Sequence, residues 1–121
     1  MLPMIKHQSE IKYPIIKPTY HKLDNGLSIC AVHNFQNPGP LVSATFLIKC
    51  GLYSENPGIA GITHALEHML FKGTARFDNF EITSVINSLG GTLDAFTSAD
   101  SLCLELNAPP KDFGRALDVL S

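Results

Sequence analysis

Tryptophan is absent, cysteine is limited to three residues, and no apolar run is long enough to span a membrane. Cys30, Cys50 and Cys103 are odd in number and irregular in spacing, so no disulfide framework is implied. Each lies in an apolar, strand-like stretch where a free thiol packs as a small hydrophobe, and a reducing compartment fits best. Basic residues are few and scattered: nine Lys and Arg stand against eleven Asp and Glu, for a net charge of −2. That balance offers no footprint for nucleic acid or for an anionic lipid surface. The start, Met1-Leu2-Pro3-Met4-Ile5-Lys6-His7, lacks the apolar run and small-residue cleavage site of a secretory signal. It also lacks the arginines of a mitochondrial presequence, so a cytoplasmic location is the expectation. Internal repeats and low-complexity segments are missing as well.

What is present suffices for one small domain: 121 residues, 45% of them apolar. Residues 1–18 carry three prolines and little periodicity, and read as an extended arm. Tyr20–Leu23 and Leu27–Val32 are short strand-like runs joined by Asp24-Asn25-Gly26, a hairpin signal. Leu41–Ile48 is the strongest strand, too continuously apolar to be exposed on both faces. A connector rich in Gly, Ser, Asn and Pro, Gly51–Gly58, leads to a helix around residues 62–70. Its Ile62, Ala65, Leu66, Met69 and Leu70 form a wide apolar face expected to be buried, with the opposite side aimed at a cavity. Asp78 with Glu81 resembles a capping box, and Ile82, Val85, Ile86 and Leu89 keep helical spacing up to Gly90-Gly91. Two strands follow, Thr92–Ser98 and Ser101–Asn107, and then a helix with Phe113, Ala116, Leu117 and Leu120 on one side.

The chemistry concentrates in His64-Ala65-Leu66-Glu67-His68. On a helix turning about 100° per residue, His64 and His68 project about 40° apart, and Glu67 falls about 60° to the other side of His64. Two imidazoles on one helical face are half of a tetrahedral zinc site. A carboxylate beside them is placed to take a proton from metal-activated water. The order H-x-x-E-H thus does the work of the more familiar H-E-x-x-H. A catalytic zinc takes three protein ligands and keeps a fourth position open. Cys103, Glu105, Asp94, Glu81 and His33 are candidates for the third; none has diagnostic spacing, and Glu81 is better explained as a helix cap.

Gly61-Ile62-Thr63-His64-Ala65-Leu66-Glu67-His68-Met69-Leu70-Phe71-Lys72-Gly73-Thr74 closely resembles the signature of the pitrilysin/insulinase family of zinc metallopeptidases, the inverted zincins. Leu23–Leu27 looks like that family's first hairpin, Gly51–Glu55 like the segment entering its metal helix, and Gly90–Ser98 like the strand flanking its active site. The resemblance covers residues 19–121 and implies an α+β fold, an antiparallel sheet with helices packed on it, here the first half of the domain. It implies Zn2+ as cofactor, His64 and His68 as ligands, Glu67 as general base and a peptide or protein as substrate. The substrate would lie along Asp94-Ala95-Phe96-Thr97; the family usually has asparagine where this chain has Asp94. In the family a glutamate several dozen residues further on, in a later helix, completes the metal site, and several such domains enclose a chamber. The expectation is therefore that this stretch works with further peptidase domains or a partner subunit.

Two other readings stay open at the level of sequence. One is a non-catalytic scaffold or partner subunit of a peptidase complex. The other is a metal-dependent S-ribosylhomocysteine lyase, which also uses an H-x-x-E-H helix and takes a cysteine as third ligand, a place Cys103 would fill.

Overall fold

A computed structural model describes residues 17–33 and 39–120. The expected extended arm lies outside the described residues over positions 1–16. The chain divides into two compact units, one up to Pro38 and one from Gly39. In the first, strand β1 (Thr19–Lys22) pairs antiparallel with β2 (Ser28–Ala31), Thr19 opposite Ala31 and Lys22 opposite Ser28. The turn works as its residue types dictate. Gly26 takes φ 90°, and the Asn25 side chain accepts from the Leu27 N–H at 3.0 Å.

The second unit is a three-stranded antiparallel sheet with helices on one face. The strands β3 (Val42–Ile48), β4 (Thr92–Thr97) and β5 (Leu102–Ala108) lie in the order β3-β5-β4. The helices are α1 (Ile62–Met69), α2 (Asn79–Ser88) and α3 (Phe113–Asp118). None is long and apolar enough to cross a membrane. The architecture is α+β.

Cross-strand partners share a face, so the register sorts the side chains. Ala44, Leu93 and Leu106 stand together on the helix side, while Thr45, Asp94 and Glu105 stand on the other. The core gathers Leu106 and Ala108 of β5, Ile82 and Ile86 of α2, and Ala116 and Val119 at α3. Ile86, Leu102 and Leu106 are fully buried, each worth about 1.5–3 kcal/mol in apolar transfer. The capping box at α2 is present: Asp78 accepts from the Glu81 N–H and Glu81 accepts from the Asp78 N–H, both at 2.8 Å.

In β3 one face is half-buried through Val42, Ala44 and Phe46, while Leu47 on the other face is 62% exposed and Ile48 at the strand end 48%. Two expectations are corrected. At the end of α3 it is the capping Val119, not Leu117, that joins Ala116 in the core. Most consequentially, the apolar stripe of α1 is not buried: Ile62, Leu66 and Met69 are exposed, while Thr63 is 2% exposed and Glu67 and Leu70 are half-buried. Thr63, Glu67 and Leu70 follow helical spacing and form the inward side of α1, which is bonded to β4 through Glu67 and Thr97.

Candidate metal centre

The loop before α1 is anchored on the turn between β4 and β5. The N–H groups of Leu52 and Tyr53 donate to the carbonyls of Ser98 (3.2 Å) and Ala99 (2.7 Å). Gly51 lies so close to this turn that a Cβ on it would sit 2.4 Å from the Ser101 nitrogen. The approach therefore requires glycine at an extended backbone (φ −145°, ψ −172°) that any residue adopts. Two short 3-10 turns, Leu52–Ser54 and Pro57–Ile59, then carry the chain to Gly61, whose φ of 87° opens α1.

Gly61 has no side chain to cap the helix. Glu55 does so from six residues upstream: one carboxylate oxygen accepts from the Gly61 N–H at 2.6 Å and the other from the Thr63 N–H at 2.8 Å. These bonds, with a further one from the Thr63 hydroxyl, hold the Glu55 carboxyl below its ordinary pKa; burial opposes them weakly. A negative group at this position also meets the positive end of the helix dipole.

On α1 so fixed, His64, Glu67 and His68 bring a ligand-competent atom each within 4.8 Å of one another. The two imidazoles have centroids 4.6 Å apart and planes inclined at 46°. Both histidines are exposed and Glu67 is half-buried, so the group opens at the surface of the second unit and not into the expected cavity. Thr97 Oγ1 donates to Glu67 Oε2 at 2.6 Å. That bond is the main cause of a lowered Glu67 pKa; burial pushes the other way, and charge on His64 and then His68 lowers it further. The two imidazoles fit a zinc ion, for which they are ordinary donors, and the Glu67 carboxylate stands beside them.

The other expected residues are placed as follows. In β4, Thr97 and Ala95 face the helices and Asp94 and Phe96 the opposite side. Only Thr97 of that segment touches the triad by hydrogen bond; Asp94 Oδ1 accepts from the Ala95 N–H at 2.9 Å. Among the described residues β4 pairs with β5 alone, so its outer edge is unpaired. Glu81 is occupied by its capping box, and Cys103 is buried with its thiol 3.9 Å from Ser101 Oγ. Neither they nor Asp94 or Glu105 join the triad. Sequence reasoning missed Glu55, which has no periodic relation to the helix it caps, and missed that the Thr97 hydroxyl is directed at Glu67.

The chain is similar in sequence and in structure to known proteases. A zinc protease of Streptomyces coelicolor, itself uncharacterized, is 40% identical over 80 residues, covering 64% of this chain and 17% of that protein. The beta subunit of the human mitochondrial-processing peptidase is 33% identical over 98 residues, covering 81% of this chain and 18% of that subunit. In structure, a protease from Helicobacter pylori superposes with a TM-score of 0.80 at 28% identity, over 87% of this chain and 25% of that one. The chain thus spans a quarter or less of the length of these relatives. The model of the family described as Insulinase (Peptidase family M16) matches residues 31–121, and the chain belongs to that family.

Proposed function

We propose that this chain supplies the metal-binding helix and the general base of a zinc-dependent endopeptidase. The observation that carries the reading is the clustering of His64, Glu67 and His68 on one helix, whose glutamate is tied to the neighbouring strand. His64 and His68 would hold the zinc ion, which when bound supplies a Lewis acid that activates water and polarises a carbonyl. Glu67 is the proton carrier. Its Oε2 is engaged by Thr97, which leaves Oε1 to accept a proton and later deliver it to the leaving amine. Its lowered pKa keeps it ionised, and therefore able to accept, at neutral pH.

The substrate is a peptide laid along the free edge of β4, where main-chain pairing gives affinity and side-chain pockets give selectivity. Asp94 and Phe96 stand on the sheet face away from α1, so at this edge Ala95 and Thr97 are the positions on the metal side. The third zinc ligand comes from outside the described residues, as a glutamate in a later helix, and the complete enzyme works with further peptidase domains or a partner subunit; relatives named as subunits of a processing peptidase support the partner. The Cys103 thiol, buried beside Ser101 and outside the triad, favours the peptidase reading over the lyase one.

The test is Glu67→Gln in the complete peptidase. Retained zinc with loss of peptide turnover is expected, and full turnover in that variant would sink the assignment.

A further inference from the structure

α1 carries both imidazoles and the base, yet it is only eight residues long. A helix this short is marginal by itself, since nucleation is costly and few intrahelical bonds repay it. Its apolar stripe is exposed, so apolar burial does little to hold it in place. Its first residue is preceded by a left-handed glycine with no capping side chain, and the first helical bond runs from the Ala65 N–H to the Gly61 carbonyl at 2.9 Å. The N–H groups ahead of Ala65 therefore need partners from elsewhere.

Glu55 meets that need at two points, Gly61 and Thr63, and Thr63 is immediately before His64. The glutamate is itself fixed: its N–H donates to the Leu52 carbonyl at 3.2 Å, and Leu52 and Tyr53 are bonded to Ser98 and Ala99, just past the end of β4. The end of β4 thus holds α1 twice, through Thr97 to Glu67 and through this loop to the start of the helix. We propose that Glu55 is a positioning residue for the metal site, a two-pronged carboxylate clamp that sets the first turn of α1 and thereby presents His64 and His68 together before zinc arrives. The inference rests on the reading of those histidines as zinc ligands. A carboxylate is needed, because glutamine offers one acceptor oxygen and turns an N–H2 donor toward the second N–H.

Zinc affinity of the complete peptidase, which carries the third ligand, is measured by competition with a chromophoric chelator for the parent, Glu55→Gln and Asp78→Ala. The last removes the cap of α2 and weakens the fold without touching α1. The clamp requires Glu55→Gln to bind zinc at least about fivefold more weakly than the parent, with Asp78→Ala within about twofold of it. Equal affinity in parent and Glu55→Gln, or an equal loss in both variants, overturns it. Amide hydrogen exchange of the zinc-free parent is the second measurement. Protection of the Gly61 and Thr63 amides is expected, and free exchange at both overturns the proposal even if Glu55→Gln fails to fold. A parent that takes up no zinc while these amides are protected refutes the metal reading and leaves the clamp as a helix cap alone, which also overturns its role at a metal site.

Discussion

The hydroxyl of Thr97 donates to Oε2 of Glu67 at 2.6 Å, joining the end of β4 to the middle of α1 across 30 residues of sequence. The bond fixes which carboxylate oxygen is spoken for and so which is available for proton transfer. It also lowers the Glu67 pKa, which favours the ionised base. In the complete peptidase, Thr97→Val keeps the shape and removes the donor. A fall in kcat of about tenfold with KM little changed is expected, since a positioned base contributes about 10²–10⁴-fold and only its orientation is lost. Thr97→Ser, which restores the hydroxyl, should recover most of it. Steady-state cleavage of a fluorogenic peptide decides the matter, and an undiminished kcat in Thr97→Val would show that the bond is not used.

The Glu55 clamp predicts an acid limit for the start of α1. Its carboxyl titrates lower in the folded protein than in the unfolded chain, where glutamate has a pKa of about 4.3. The unfolded state then binds the proton more readily, so the contribution of Glu55 to stability is fully present above that value and is lost as pH falls through the lower folded pKa. The amide signals of Gly61 and Thr63 should move together in that acid window. In Glu55→Gln the same window should be flat, and identical profiles for the two proteins would rule the clamp out as its cause.

The parts of this fold that could be read from the sequence are those encoded within a few residues. Asp78 and Glu81 stand three apart and form their capping box because the bonds are local. Gly26 turns the hairpin for the same reason, and His64 and His68 share a face because any helix would place them so. The packing of α1 departs from amphipathic expectation, which makes the apolar stripe the buried one. Here Ile62, Leu66 and Met69 stay exposed, while Thr63 is buried with its N–H taken by Glu55. Glu55 and Thr97 reach their partners across a loop and across the sheet–helix interface, where no spacing rule operates. The apolar run of β3 likewise announced a strand without announcing that the helices sit over β4 and β5.

Two glycines should respond to alanine with opposite signs. Gly51 has an ordinary extended backbone, but its added methyl would lie 2.4–2.6 Å from main-chain atoms of Asp100 and Ser101, which cannot rotate away. Separating the loop from the turn strains the bonds of Leu52 and Tyr53 to Ser98 and Ala99, so Gly51→Ala should cost about 1–3 kcal/mol. Gly114, inside α3, has nothing within 4 Å of its missing Cβ. There alanine restricts the unfolded chain and favours helix, a gain of about 0.5–1 kcal/mol. Urea unfolding of the two variants against the parent measures both. A neutral Gly51→Ala would mean that the loop is not held against the β4–β5 turn as described.

The cap of α2 gives the last test, because α2 supplies Ile82 and Ile86 to the core and so links a surface bond to the whole unit. Asp78→Ala removes the acceptor for the Glu81 N–H and leaves the Glu81 side chain bonding to the Asp78-position N–H alone. Loss of an aspartate cap costs about 0.5–2 kcal/mol. Asp78→Asn keeps an acceptor oxygen and should lose much less, because asparagine caps about as well as aspartate. The comparison separates the hydrogen bond from the charge. If Asn and Ala are equally destabilised, it is the negative charge at the helix start that matters, and the difference should then shrink as salt is raised. If Asn stays near the parent while Ala falls, the bond itself holds α2, and through Ile82 and Ile86 it holds the sheet on which Thr97 stands.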